Sequence, residues 1–96
     1  KELIKVPLDE FLMVEALKDY VIIHTTKDSY TIHSTMKDIE KKLPKSHFTR
    51  AHRSFIVNVS KVVAIRSGNL ILEGVKKPIP VGGNYKNEIS AEINAL

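Results

Sequence analysis

At 96 residues with no cysteine and a net charge of +4, the chain has room for one domain, since domains typically hold about 100 to 150 residues and a second core would not fit. Zero cysteines exclude disulfides, thiolate metal sites and cysteine nucleophiles, which makes a cytoplasmic location the expectation. The longest apolar runs, YVII at 20–23 and SFIVNV at 54–59, fall far short of the roughly 20 residues that span a bilayer, so no membrane partner is expected.

The chain opens at Lys1 with an apolar stretch close behind, which reads as a single domain, residues 1–96, excised from a longer protein. Residues 1–17 carry two lysines against Glu2, Asp9, Glu10 and Glu15, a local balance of −2. YVIIHTTKDSYTIHS gives two β-rich runs, Tyr20 to Thr26 and Tyr30 to His33, around the polar turn Lys27-Asp28-Ser29, the pattern of a hairpin. In STMKDIEKKLP, Met36, Ile39 and Leu43 recur at helical spacing, Ser34 or Thr35 offers a cap, and Pro44 ends the run.

A second hairpin follows, Val62 to Arg66 and Leu70 to Glu73 around Ser67-Gly68-Asn69, where Gly and Asn tolerate positive φ. After the Gly74-Val75-Lys76 turn, Lys77 to Val81 forms a third run whose Pro78 and Pro80 confine it to a sheet edge. At the end, Tyr85, Ile89, Ile93 and Leu96 share one helical stripe, with Asn84 placed to cap it. The fold class is therefore mainly β, short antiparallel strands with one or two small helices.

Chemistry-bearing residues are few. His24 and His33 lie on the two arms of one hairpin, but whether they share a face depends on register, and no carboxylate pair accompanies them. Ser54 stands beside His52 without the G-x-S-x-G setting of a nucleophile, and Gly82-Gly83 lacks the downstream Gly-Lys-Ser/Thr of a phosphate loop. No enzyme activity, metal or cofactor is expected. The segment Lys41 to Leu72 stands out instead. It has no acidic residue and holds every arginine, with Lys41, Lys42, Lys45, Arg50, Arg53, Lys61 and Arg66. Such clustering is the footprint of a surface for phosphate or another polyanion, or else of a solvated face. GGNYK leads straight into a helix, whose free amides with Lys86 suit an anionic group, or else it is a flexible strand-to-helix turn with glycine for geometry.

The run FTRAHRSFIVNVSKVVAI, with Phe48, Arg50, His52, Arg53, Ser54, Phe55, Ile56, Val57 and Asn58 in order, closely resembles the signature of the LytTR DNA-binding domain family. LDEFLMVEALKDYVIIHT resembles its first strands, TMKDIEKKLP its short helix, and GNLILEGVKKPIPVGGNYK its final hairpin and turn. The resemblance implies an elongated arrangement of small antiparallel sheets, a LytTR-like β sandwich. It also implies an output domain of a bacterial response regulator in a two-component system, attached behind a receiver domain. Such domains read double-stranded DNA through inter-strand loops in successive major grooves, commonly at paired direct repeats in promoters, where two copies form a homodimer on DNA.

Carried over residue by residue, the first loop corresponds to Lys18-Asp19-Tyr20, the signature loop to His52-Arg53, and the third contact to Gly82-Gly83-Asn84 with Lys86 beyond. Arg53 suits base reading, because a guanidinium fork addresses guanine O6 and N7 together. His52, Lys18 and Lys86 suit phosphates. Tyr20 suits either role, or else packs at a strand edge. Many family members have an arginine or lysine in the third turn; here Asn84 at shorter range, or backbone amides on phosphate, stand in its place. Phe48, Phe55, Ile56 and Val57 are expected to be core anchors, Arg50 a structural residue with its head hydrogen-bonded, and Asn58 a turn closer. The alternative is a protein-interaction or dimerisation module whose basic loop meets an acidic partner. Single-stranded nucleic-acid binding ranks below both, for want of free aromatics.

Overall fold

The computed structural model describes residues 5–93, so the place of Leu96 on the terminal stripe lies outside the described residues. The strands are β1 (Phe11–Leu17), β2 (Tyr20–Thr25), β3 (Ser29–His33), β4 (Phe48–His52), β5 (Phe55–Asn58), β6 (Val62–Arg66), β7 (Asn69–Leu72) and β8 (Ile79–Pro80). Helix α1 (Met36–Lys42) joins β3 to β4, and α2 (Lys86–Ile93) follows β8. The first five strands form one antiparallel sheet in the order β3-β2-β1-β5-β4, and β6-β7-β8 form a second. The molecule measures 41 × 24 × 24 Å, matching the expected elongated arrangement of small antiparallel sheets with two short helices.

The five-stranded sheet is a wall between two cores. On one face Phe11, Val14, Val21, Ile23, Phe48 and Ile56 pack against Met36 and Ile39 of α1, with Phe11 and Phe48 edge-on at 4.7 Å. On the other, Met13 and Val57 meet Leu70, Leu72 and Ile79 of the small sheet and Ile89 and Ile93 of α2. Strand alternation sends Ile56 to the first core and Val57 to the second. Four consecutive buried residues in β1, Phe11 to Val14, break that alternation. The pairing explains them: Phe11 faces Thr25 and Met13 faces His24, so Leu12 is the extra residue of a bulge, and Leu12 and Met13 both turn to the second core.

Local chemistry fixes the connections. The Thr35 hydroxyl accepts from the Asp38 amide at 3.0 Å and caps α1, deciding between the two candidate caps. In the β6–β7 turn the positive φ values fall on Ser67 (50°) and Gly68 (78°). Asn69 is already paired with Arg66 in the ladder, so the expected left-handed residue is Ser67 rather than Asn69, as a two-residue turn between twisted strands requires. Strand β8 lies at the edge of its sheet, the place to which its proline confines it.

Asn58 closes its turn and does more. Its Oδ1 accepts from the amide of Ser60 at 3.1 Å and the hydroxyl of Ser60 at 2.8 Å, while Nδ2 donates to the carbonyls of Leu8 (3.2 Å) and Phe11 (2.8 Å). This fully buried amide binds the segment before β1 to the exit of β5. Truncation would strand several buried polar groups, so Asn58→Ala should lower the unfolding free energy by about 2 to 3 kcal/mol, read from urea denaturation; a loss under about 0.5 kcal/mol would mean that the amide is dispensable.

A polar tie joins the two sheets. Glu15 accepts from His24 Nε2 at 2.9 Å and from Lys77 Nζ at 3.0 Å. Burial alone would raise the Glu15 carboxyl, but the hydrogen bonds and charges of Lys77 and His24 outweigh it and hold the group below its ordinary value. The folded state thus takes up this proton less readily than the unfolded chain. The tie contributes fully above the ordinary glutamate range and is lost as pH falls through the lower folded value. Lys77→Met should therefore be less stable than the parent at neutral pH, with the gap shrinking in acid; equal gaps in denaturation series at both pH values would contradict the tie.

Candidate nucleic-acid interface

Three turns meet at one end of the large sheet. The β1–β2 turn is Lys18-Asp19, closed by the pairing of Leu17 with Tyr20. The β4–β5 turn is Arg53-Ser54, closed by the pairing of His52 with Phe55. They are tied by the Ala16 amide, which donates to the Ser54 carbonyl at 2.9 Å. The third segment enters through Gly82, whose amide donates to the Ala51 carbonyl at 2.8 Å. Ala51 is the extra residue of a second bulge, between Arg50 and His52. That bulge frees the Ala51 carbonyl for Gly82 and re-aims the residues after it. A Cβ on Gly82 would stand 3.1 Å from the Tyr85 ring and 3.5 Å from the His52 ring. Three segments far apart in sequence therefore form one surface.

Lys18, Tyr20, Arg53, Asn84 and Lys86 are exposed there, and His52 is half-buried. Lys18 holds a left-handed backbone, φ 52°, uncommon for a residue with a Cβ. His52 Nδ1 accepts from the Ser54 amide at 3.1 Å, which leaves Nε2 as the ring nitrogen free to donate. Tyr20 does not pack into the sheet: it is 46% exposed and stacks edge-on against His33 at 5.1 Å. His33 and the 50% exposed Leu17 join the surface, and the sequence reading did not include them. The partner that would have flagged His33 is Tyr20, directly opposite it in the β2–β3 register. His24 shares that strand face but pairs with Ser29 at the other end, so the two histidines do not converge.

Arg50 lies beneath the turn. Its Nε donates to the His52 carbonyl at 2.9 Å, one Nη to the Arg53 carbonyl at 2.6 Å and the other to Glu40 Oε1 at 2.7 Å. The side chain is 15% exposed, and its Cζ sits 5.9 Å from the Tyr85 ring. The expected structural role fits these contacts.

One expectation is refined and two change. Phe55 packs against the second core as expected but from its rim, half-buried rather than enclosed, because beside the turn its outer side meets His52 at 5.7 Å and the Lys77 ammonium at 5.4 Å. Asn84 does not cap α2. The chain enters that helix through a 3-10 turn, Gly83–Tyr85, with the Tyr85 amide donating to the Gly82 carbonyl at 2.9 Å, so Asn84 sits inside the turn with its side chain outward. The acid-free segment is not one face either. Strands β4 and β5 carry Arg53 to one end, while Lys45 precedes β4 and Lys61 follows β5 at the other, where Phe48 pairs with Asn58.

A small β domain that offers turns from the end of a sheet, with no helix-turn-helix among the described residues, is a loop-presenting domain. The pattern of the LytTr DNA-binding domain family matches residues 1–94, and the chain belongs to that family. It is similar to the sensory transduction protein LytT of Bacillus anthracis, 31% identical over 94 residues, which covers 93% of this chain and 38% of that protein. It is also similar to the LytT protein of Bacillus subtilis, 43% identical over 60 residues, covering 57% of this chain and 24% of that one. The chain thus spans well under half the length of these curated relatives. Among solved structures, a LytTr DNA-binding domain from Bacillus cereus, of a protein described as a methyl-accepting/DNA response regulator, superimposes with a TM-score of 0.81. The two are 27% identical, with 94% of this chain and 86% of that one covered.

The contiguity of the second and third turns is open to measurement. Gly82 has φ −69°, which alanine adopts freely, so Gly82→Ala should shift the ring resonances of both His52 and Tyr85 in NMR spectra at a stability cost of about 1 kcal/mol. Unmoved His52 signals would separate the two turns.

Proposed function

We propose that this domain binds double-stranded DNA sequence-specifically, as the output domain of a bacterial two-component response regulator acting in transcription. The observation that carries the reading is the joining of three exposed turns into one surface on a chain of this family. Arg53, exposed at the tip of its turn, is the base reader in a major groove, with its fork on a guanine. Lys18, His52 and Lys86 hold phosphates and set the register without reading sequence. Lys86 opens α2, whose first amides add a partial positive charge. Tyr20 and Asn84 lie on the same surface and complete the contact. Asn84 is short, so the third turn stays close to the backbone of the duplex.

A receiver domain upstream, a cytoplasmic setting and two copies on paired direct repeats in promoters belong to the same proposal. The receiver domain is supported by relatives that are named as sensory transduction proteins and are much longer than this chain; the setting and the repeats rest on the family resemblance alone. Among the described residues no helix is long and apolar enough to cross a membrane.

Electrophoretic shifts across a salt series test the reading. Arg53→Ala should erase about 1 to 3 kcal/mol of preference for a promoter duplex over a random one. Lys18→Ala and Lys86→Ala should weaken both duplexes alike, each flattening the log–log salt slope by roughly 0.9 for a lost phosphate contact. A domain that binds any polyanion equally, or an acidic protein in preference to duplex, would point to the interaction-module alternative.

A further inference from the structure

We propose that Arg50, held by Glu40 of α1, is the positioning residue of the recognition turn, fixing the direction in which Arg53 leaves the protein. This rests on the reading of Arg53 as the base contact. The argument starts from the two carbonyls that Arg50 grips. The carbonyl of His52 belongs to the peptide plane before the Arg53 Cα, and the carbonyl of Arg53 belongs to the plane after it. Each plane is rigid, so the only backbone freedom at Arg53 is rotation about the two bonds that join the planes. A guanidinium that binds both planes at 2.9 and 2.6 Å removes both rotations at once. The Cα–Cβ direction of Arg53 then follows from the position of Arg50.

Only an arginine can do this. Its donors form a flat fork of fixed spacing, whereas a lysine ammonium is a point charge on a flexible stem. The fork itself is anchored on three sides. Glu40 binds the remaining Nη at 2.7 Å, the Tyr85 ring lies 5.9 Å from Cζ, and the stem enters from β4, across from the buried Ile56. Glu40 comes from a helix seated on the sheet by Met36 and Ile39. The turn needs this support, because it has just two residues outside the strands and its sole internal side-chain bond is that of Ser54 to His52. Positioning residues of this kind determine whether a contact group sits within its productive angle.

The probe is a duplex recovered by in vitro selection from a random-sequence library with the parent domain, compared with a shuffled duplex of the same composition. Arg50→Lys should stay folded by circular dichroism and keep its salt slope, yet lose roughly tenfold in preference for the selected duplex, the scale of one base contact. Glu40→Gln, which keeps an acceptor but drops the charge, should lose less. In the Arg53→Ala background Arg50→Lys should bring no further loss, since the residue through which it acts is gone. Preserved preference in Arg50→Lys, or full additivity with Arg53→Ala, overturns the proposal. If Arg53→Ala itself keeps the preference, the base-reading assignment fails. Positioning is then decided by amide exchange at Arg53 and Ser54, which Arg50→Lys accelerates if the clamp holds the turn and leaves unchanged if it does not.

Discussion

The guanidinium of Arg50 sits where a strand, a helix and a turn converge, and its three hydrogen bonds each go to a different structural unit. Placing a charged fork in a niche that is mostly shielded from water is costly unless every face is matched. Here the matches are Glu40 on one side, two backbone carbonyls on another and the Tyr85 ring above. The net contribution of such a pair to stability is small in general, since desolvation offsets the attraction. Its contribution to shape is larger, because any shift of the turn, of α1 or of the Gly83–Tyr85 segment leaves at least one of these groups unmatched. Helix α1 is only seven residues long, and its place on the wall of the first core makes it a buttress for the turn.

The interface is built with little charge. Of the basic stretch, Arg53 lies at the turn end while Lys45 and Lys61 flank the opposite end of β4 and β5, and Asp19 sits among the exposed turn residues. The few exposed groups are held by specific backbone devices: a bulge at Ala51, a left-handed Lys18 and the Ala16 amide donating to the Ser54 carbonyl. Backbone conformations of that kind are held only where the surroundings determine them.

Much of the fold was legible because its signals are local. Alternation marked β2, β3, β6 and β7; Thr35, Met36, Ile39 and Pro44 marked α1; prolines marked β8 as an edge. What was hidden depends on pairing between distant segments. The union of β1 with β5 joins residues some forty positions apart, and nothing in either strand names the other. The bulges at Leu12 and Ala51 leave no residue-type signature, yet each moves a side chain to another face. The same gap explains the site. Arg50 was expected to be structural with its head hydrogen-bonded, but its partners on α1 and in the turn required the folded sheet. Phe55 reads as a core residue and does pack on the second core, but its place next to a turn leaves it at the rim. Asn84 has the chemistry of a cap, and the 3-10 turn moved the helix start past it. His33 became part of the surface only through its register with Tyr20.

The central sheet has a further consequence through its role as a shared wall. Because β5 delivers Ile56 to one core and Val57 to the other, neither core can loosen without exposing the back of the other, and the small sheet cannot drift from the large one while Met13 and Val57 remain in place. Cores that share a strand melt as one cooperative unit rather than as two foldons. The β1–β5 seam, where Met13, Val14, Ile56 and Val57 are all but fully buried, lies beside the turns that present Lys18 and Arg53. The candidate surface is thus fastened to strands that both cores share, so its shape depends on the whole domain.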